Sequence, residues 1–178
     1  MGIVVDKEIR EFLSQLGERY PKPAKLYLLG GSALCLLGNP RRTVDIDYTI
    51  EVSVDQTGEL IKMIEILSGE LQLELEIVPI EEFIPLPPGV ESRHQWVGKF
   101  DNLEVYIYDP YSIALSKLAR GFETDLQDVL FLLNQNIINL KQLTQIVEAA
   151  LPVAWDYDID PADLQIYHSE ILRLFKEK

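Results

Sequence analysis

The sequence predicts an α+β fold: a mixed β-sheet flanked by helices, followed by a C-terminal helical subdomain. Short apolar or alternating runs, typical of strands, recur between residues 25 and 108. Runs with helical spacing stand before and between them. After Asp109-Pro110 the apolar period lengthens from two residues to about 3.6. We therefore expect a core at residues 1–110 and a helical subdomain at residues 111–178 packed on it, because no long linker separates them.

The elements of the core follow from local patterns. Apolar residues at helical spacing predict a first helix, and the proline pair Pro21 and Pro23 ends it. The prolines of residues 83–89 predict a loop. Helices are expected at residues 6–19, 32–37 and 59–67. Strands are expected at residues 25–29, 43–52 and 71–78, with a hairpin of 95–100 and 103–108 turning at Asp101-Asn102.

Further helices are expected in the second part. Tyr111, Leu115 and Leu118 share one helical face, and later runs repeat the pattern at residues 124–133, 140–150 and 161–176. Asp160 is the expected N-cap of the last helix, with Pro161 at its first position.

Composition and charge limit the class of protein. Apolar residues make up 47% and charged residues 25% of 178 residues, which excludes a disordered or fibrous chain. No apolar run reaches the roughly 20 residues of a membrane span, and the N-terminal residues are too polar for a signal peptide. The single Cys35 is typical of a buried thiol in a reducing cytoplasm. We expect a cytoplasmic protein that does not contact a membrane.

The formal net charge of -13 opposes broad, non-specific binding to DNA or RNA. It leaves room for a local basic pocket. Because the chain has 29 acidic residues, most of them are expected on solvated faces.

Gly30-Gly31-Ser32 stands between a predicted strand and a predicted helix. Glycine lets the backbone approach a ligand closely, and the first turn of a helix offers unpaired N–H groups to a phosphate. Ser32 adds a hydroxyl. This pattern alone is more often a tight turn.

Asp45 and Asp47 stand two residues apart on a predicted strand, so their carboxylates share one face roughly 7 Å apart. Like charges so placed are costly unless a cation lies between them. Oxygen ligands suit Mg²⁺ or Mn²⁺. An exposed acidic strand face is the structural alternative.

Taken together, the two motifs resemble the signature of the polymerase-β-like nucleotidyltransferase superfamily. That signature is an apolar residue, Gly, then Gly or Ser, a gap like residues 32–44, and Asp-x-Asp flanked by apolar residues. The resemblance implies the nucleotidyltransferase fold. It also implies that Gly30 and Gly31 hold the phosphates of a nucleoside triphosphate while Asp45 and Asp47 bind metal.

The superfamily's third carboxylate lies on a following strand, where it completes the metal site and activates the attacking hydroxyl. Glu74 and Glu76 are the candidates, and both point to one face of the strand predicted at residues 71–78. We prefer Glu76, because Ile77 and Val78 follow it as two apolar residues follow the family's carboxylate. The family has Asp here, whereas this chain has Glu.

A closer resemblance covers residues 25–133. Residues 29–33 (LGGSA), 41–47 (RRTVDID), 108–121 (YDPYSIALSKLARG) and 125–129 (DLQDV) are similar to an uncharacterised bacterial nucleotidyltransferase family, related to abortive-infection (AbiEii-like) toxins of toxin–antitoxin pairs. In those relatives a lysine at the position of Lys117 contacts the triphosphate.

The charged residues next to these motifs have either a functional or a structural interpretation. Arg42 stands where it could contact a phosphate, and Arg41 is expected in solvent. Asp125 and Asp128 match acidic positions of the relatives, and they could instead form salt bridges with Lys117 or Arg120.

The resemblance implies an enzyme that moves a nucleoside monophosphate from an NTP to a hydroxyl acceptor and releases pyrophosphate. A toxin that modifies RNA, with an antitoxin protein as partner, is a second hypothesis. A third is a catalytically weak or inactive protein of this fold with a nucleotide-binding or regulatory role. Tyr106 or Tyr108 could line a nucleotide pocket, although packing is the commoner role of such rings.

Overall fold

The computed structural model describes residues 4–40 and 42–176. Their contacts divide the chain into two compact units, residues 1–78 with 95–108, and residues 79–94 with 109–178. Within the described ranges, no helix combines the length and the apolar character that a membrane span requires.

The first unit is a mixed five-stranded sheet with three helices. Its helices are α1 (Asp6–Arg19), α2 (Gly30–Leu36) and α3 (Val54–Leu71), and its strands are β1 (Ala24–Leu28), β2 (Asp45–Glu51), β3 (Glu74–Ile77), β4 (Gln95–Phe100) and β5 (Leu103–Ile107). The strand order is β3-β2-β1-β5-β4. The pairs β1/β2 and β4/β5 are antiparallel, whereas β1/β5 and β2/β3 are parallel. The α+β fold class predicted from the sequence is confirmed.

One face of this sheet is the core of the first unit. Leu26 and Leu28 of β1, Ile46 of β2 and Val105 of β5 are buried on it, as are Phe12 and Leu13 of α1. Because strand side chains alternate between faces, residues 45, 47 and 49 of β2 and Tyr27 of β1 lie on the opposite, outer face.

The second unit is helical. It contains α4 (Ile80–Phe83), a 3-10 turn (Val90–Arg93), α5 (Pro110–Arg120), α6 (Glu123–Asn134), α7 (Leu140–Ala150), a second 3-10 turn (Leu151–Tyr157) and α8 (Pro161–Lys176). The expected N-cap of α8 is confirmed, since the Ala162 N–H donates to Asp160 Oδ1 over 2.8 Å.

The expected bounds of two helices in the first unit are wrong. Helix α2 begins at Gly30 rather than at residue 32, because the Ala33 N–H already donates to the Leu29 carbonyl and the glycines form the first turn. Helix α3 runs from Val54 to Leu71 instead of residues 59–67. Its first turn contains no buried residue, which hides the helical period, and Gln72 ends the helix in a left-handed conformation (φ 54).

The extension of α3 to Leu71 shortens the strand that follows it. Strand β3 keeps only Glu74–Ile77 of the expected residues 71–78, because Leu71 still belongs to α3. The expected loop at residues 83–89 begins inside α4, which takes Phe83 as its last residue.

Candidate active site

Strands β2 and β3 bring three carboxylates together on the outer face of the sheet. The two strands are parallel, and their register pairs Asp45 with Glu74 and Asp47 with Glu76. One carboxylate oxygen each of Asp45, Asp47 and Glu76 lie within 4.8 Å of one another. The two aspartates are half-buried and Glu76 is exposed.

Among the described residues, the group that could hold a metal ion includes Glu76 and leaves out Glu74. Both glutamates belong to the same exposed face of β3. The preference for Glu76 over Glu74, drawn from the two apolar residues that follow it, agrees with this geometry. The catalytic role of either glutamate stays a prediction.

The three carboxylates have the chemistry of a divalent-cation site. Hard divalent cations bind carboxylate oxygens at about 2.0–2.6 Å, so two ligands of one ion lie at most about 4–5 Å apart. The separation of these oxygens falls in that range. Three neighbouring negative charges repel one another unless a cation neutralises them. The donor set therefore fits a metal such as Mg²⁺ or Mn²⁺.

Asp45 is positioned by a neighbour that sequence analysis missed. The Thr43 hydroxyl donates to Asp45 Oδ1 over 3.1 Å. Thr43 is itself fixed by two backbone hydrogen bonds with Val4, which precedes α1. A threonine two residues before an aspartate was the available signal, and it carries little information without the backbone geometry.

The backbone at Gly30 lies against the Asp47 carboxylate, and the close approach to a ligand that we expected at this glycine stays a prediction. Its backbone has φ +53, and a Cβ built on it would lie 1.7 Å from Asp47 Oδ2. No other residue type fits this position without moving the carboxylate.

Ser32 lies inside the fold. Its side chain is fully buried, and the hydroxyl donates to the Leu29 carbonyl over 2.8 Å and lies 3.3 Å from the Asp47 carbonyl. The Leu29 N–H also donates to the Asp47 carbonyl. Ser32 thus connects the start of α2 to the strand that carries Asp47, and its predicted contact with phosphate stays a prediction.

Of the two arginines before β2, only Arg42 lies among the described residues. Arg42 is exposed and stands three residues before Asp45. Arg41, which we expected in solvent, lies outside the described residues. A phosphate contact of Arg42 stays a prediction.

Lys117 belongs to the second unit, where it is buried. Its ammonium group lies 2.8 Å from Asp128 Oδ2 and 3.3 Å from Asp125 Oδ1, and the side chain is 2% exposed. Asp125 also forms an ion pair with Arg120 over 2.7 Å. The salt-bridge interpretation of the two aspartates is confirmed. Lys117 has its charge offset by these carboxylates, and its predicted contact with a triphosphate stays a prediction.

The first residues of the motif at 108–121 have a structural explanation. The fully buried Asp109 caps α5 by accepting from the N–H groups of Tyr111 and Ser112 and from the Ser112 hydroxyl. Arg93 donates to both of its carboxylate oxygens over 2.8 Å. The hydrogen bonds that Arg93 donates to Asp109 raise the pKa of the guanidinium, which stays charged.

Beside the carboxylates, the outer face of the sheet carries aromatic rings. Tyr27 stacks on Tyr106 with ring centroids 5.4 Å apart, and Trp96 meets Tyr106 edge-on at 5.2 Å. The Tyr27 hydroxyl donates to Glu51 over 2.6 Å, and burial, more than this bond, raises the pKa of the phenol. Sequence analysis offered Tyr106 or Tyr108 as pocket residues and gave no such role to Tyr27 and Trp96. A pocket role of these rings stays a prediction.

The sequence profile of the family described as "Nucleotidyltransferase of unknown function (DUF6036)" matches residues 3–175. The chain belongs to this family. The nucleotidyltransferase core expected from the motifs is therefore shown at the level of the family, and a nucleotide is the implied substrate. The proposed relation to abortive-infection toxins is not confirmed.

Comparisons with solved structures and with curated proteins add little to the family assignment. The structure of this chain is similar to the crystal structure of an antigenic nucleotidyltransferase-like protein from Paracoccidioides brasiliensis. The two share 18% identity over 72% of this chain and 76% of that chain, with a TM-score of 0.48. A comparison with curated proteins finds no match.

Proposed function

We propose that this protein is a metal-dependent nucleotidyltransferase that moves a nucleoside monophosphate from an NTP to a hydroxyl acceptor and releases pyrophosphate. The observation that carries this proposal is the group of Asp45, Asp47 and Glu76, whose carboxylate oxygens lie within 4.8 Å of one another in a chain of this family. Carboxylates arranged in this way fit a divalent cation and the triphosphate that it neutralises.

Asp45 and Asp47 hold the cation, with Mg²⁺ or Mn²⁺ as the expected ion, and Glu76 is the third ligand. When bound, the cation supplies positive charge to the phosphate oxygens. Glu76 is the most exposed of the three carboxylates, so it accepts the proton of the acceptor hydroxyl. The acceptor oxygen forms a bond to the α-phosphorus, and the bond from that phosphorus to the bridging oxygen of pyrophosphate breaks.

The first turn of α2 holds the triphosphate beside Asp47. Gly30 lies against the Asp47 carboxylate, and the N–H groups of Gly30 and Gly31 precede the first hydrogen bond of the helix, which Ala33 makes. Ser32 acts by fixing this turn to β2, since its hydroxyl is buried among backbone carbonyls. Arg42 is exposed near the start of β2 and contributes positive charge to the phosphates.

Labelled nucleotide tests the proposal. We expect wild-type protein with Mg²⁺ and a labelled NTP to transfer the label to an acceptor in a panel of nucleosides, sugars, proteins and RNA. Asp45→Ala/Asp47→Ala should lose both transfer and metal-supported nucleotide binding. Glu81→Ala/Glu82→Ala is the matched control, because it also removes two carboxylates, and both glutamates are exposed and lie outside the carboxylate group. The proposal fails if wild type neither labels an acceptor nor binds a nucleotide.

A nucleotide-binding protein without turnover is the alternative that we predicted from Glu at the third position. The structure weakens its main argument, because the longer Glu76 side chain still joins the aspartates. Nucleotide binding by calorimetry, without transfer to any acceptor in the panel, would favour it. An RNA acceptor, an antitoxin partner and a cytoplasmic location stay predictions.

A further inference from the structure

Asp45 is the first residue of β2, and it pairs with the edge of the sheet. The register with β1 covers residues 48–51 of β2, whereas Asp45 and Asp47 pair with β3. Strand β3 has four residues and is the last strand on its side of the sheet. Strand ends with exposed hydrogen bonds open locally at a low free-energy cost. The Asp45 backbone therefore gains from support outside the sheet ladder.

The segment before α1 supplies such support two residues upstream of Asp45. The Val4 N–H donates to the Thr43 carbonyl over 2.9 Å, and the Thr43 N–H donates to the Val4 carbonyl over 3.3 Å. The Val4 side chain is 1% exposed, so apolar burial holds this bridge together with its hydrogen bonds. The next N–H, that of Val5, donates to Glu8 in the first turn of α1. The Val4–Thr43 bridge thus joins the start of α1 to the chain that leads into β2.

The Thr43 side chain carries this support to the carboxylate. It is 9% exposed, and its hydroxyl donates to Asp45 Oδ1 over 3.1 Å. A β-branched side chain has a restricted first torsion, so a fixed Thr43 backbone also fixes the hydroxyl. The terminal torsion of an aspartate is broad, and a hydrogen bond narrows it. A carboxylate has about four lone-pair sites, so one bond from Thr43 leaves room for a cation.

We propose that Thr43 is a positioning residue of the metal site, and that the Val4–Thr43 bridge couples the segment before α1 to metal binding. This inference rests on the proposed function, because it needs a cation at Asp45, Asp47 and Glu76. Loss of a hydrogen-bond partner of a metal ligand lowers metal affinity by about 10- to 100-fold. Coupling between two binding events is reciprocal, so a bound cation also stabilises the bridge.

Thr43→Val tests the positioning role, because it keeps the shape of the side chain and removes the hydroxyl. We expect its Mn²⁺ affinity to be lower by about 10- to 100-fold, and Thr43→Ser to keep most of the affinity. Thr49→Val is the matched control, because Thr49 lies on the same face of β2 and outside the three-carboxylate group. It should bind Mn²⁺ like wild type.

A double-mutant cycle with Asp45→Ala separates positioning from a general loss of structure. Asp45→Ala removes the acceptor of the Thr43 hydroxyl, so Thr43→Val should cause little further loss of Mn²⁺ affinity in that background. An equal fold-change in both backgrounds would overturn the positioning role, as would equal Mn²⁺ affinities in Thr43→Val and Thr49→Val.

Val4→Asn tests the bridge, because it places an amide where the side chain is buried. We expect a several-fold loss of Mn²⁺ affinity. Val5→Asn is the control, because the Val5 side chain is 36% exposed, and it should keep the wild-type affinity. In wild-type protein, hydrogen exchange at the Val4 and Thr43 amides should slow on addition of Mg²⁺, by up to the factor that Val4→Asn loses in affinity. Exchange that is equal in Mg²⁺ and in EDTA would overturn the coupling.

The same titrations separate this inference from the proposed function. Mn²⁺ binding that depends on the Thr43 hydroxyl, in a protein that binds no nucleotide, would overturn the proposed function and support the positioning role. Wild-type protein that binds no Mn²⁺ would overturn both. Nucleotide transfer by wild type, with Mn²⁺ affinity unchanged in Thr43→Val, would overturn the positioning role alone.

Discussion

Gly30 and Asp47 are in such close contact that a Cβ on Gly30 would lie 1.7 Å from Asp47 Oδ2. The glycine of the first motif therefore shapes the position of the carboxylate of the second. The two motifs are one structural unit, joined further by the hydrogen bond from the Leu29 N–H to the Asp47 carbonyl.

Gly30→Ala should lower the affinity for a divalent cation, because the new methyl group displaces the Asp47 carboxylate. Loss of the correct orientation of a ligand lowers metal affinity by about 10- to 100-fold. Gly38→Ala is the matched control: Gly38 also has a positive φ (+91), but nothing lies within 4 Å of its added Cβ. Both variants should lose about 1–2 kcal/mol of stability from backbone strain, whereas only Gly30→Ala should weaken Mn²⁺ binding in calorimetry. Equal Mn²⁺ affinities in the two variants would contradict this explanation.

Glu76→Gln should weaken metal binding by at least about tenfold, because the number of charged ligands sets the affinity of such sites. Glu74→Gln removes the same charge from the same strand, outside the three-carboxylate group. We expect it to change the affinity less than about twofold through the general field. Titration of both variants with Mn²⁺, followed by electron paramagnetic resonance, compares them directly. A larger loss in Glu74→Gln would transfer the role of third ligand to Glu74.

Lys117→Met should destabilise the protein, because it leaves the buried carboxylates of Asp125 and Asp128 without their lysine. Breaking a buried ion pair costs about 3–5 kcal/mol, or a fall in Tm of about 6–20 °C for a chain of this size. Lys25→Met is the control, since its pair with Glu51 is exposed and contributes about 0–1 kcal/mol. Thermal unfolding measures both.

The double variant Lys117→Met/Asp128→Asn should recover part of that stability, because it removes a carboxylate together with its partner. Nucleotide affinity at a temperature where the variants are folded then tests the predicted triphosphate contact. An affinity equal to that of wild type would show that Lys117 acts only in the fold.

His168 should make stability fall at acid pH. Burial lowers its pKa below the ordinary value of 6.5, and Glu148 offsets this only in part. The folded protein therefore keeps a neutral imidazole, which lies 3.1 Å from the Thr144 hydroxyl, while the unfolded chain binds a proton. The stability present above pH 6.5 is lost as the pH falls from 6.5 towards the lowered pKa. His168→Gln should show a flatter dependence of Tm on pH between 7 and 5 than wild type, and parallel curves would refute the assignment.

Local patterns were sufficient for most of the secondary structure and for the pair of aspartates. The period of the apolar residues placed α1 at Asp6–Arg19 and the hairpin of β4 and β5 within a residue of its ends. These elements have strong, short-range signals. The start of α3 has no such signal, because its first turn contains no buried residue.

The way in which the other residues of the site come together depends on how the strands pair. The register of β3 against β2 brings Glu76 to the two aspartates, and the contact of Tyr27 with Tyr106 requires β1 to lie beside β5. Pairings between distant segments leave little trace in a single sequence. The salt bridges of Asp125 and Asp128 were one of two interpretations that the sequence left open, and the packing of α6 beside α5 decides for them and buries Lys117.

Metal-supported nucleotide binding tests the central claim most directly. Calorimetric titration with a non-hydrolysable NTP should show binding to wild-type protein in Mg²⁺ that is lost in EDTA and lost in Asp45→Asn/Asp47→Asn. The folded state of that variant is checked by its unfolding curve. Nucleotide binding that is equal with and without Mg²⁺, or unchanged in the double variant, would contradict a metal site formed by Asp45, Asp47 and Glu76.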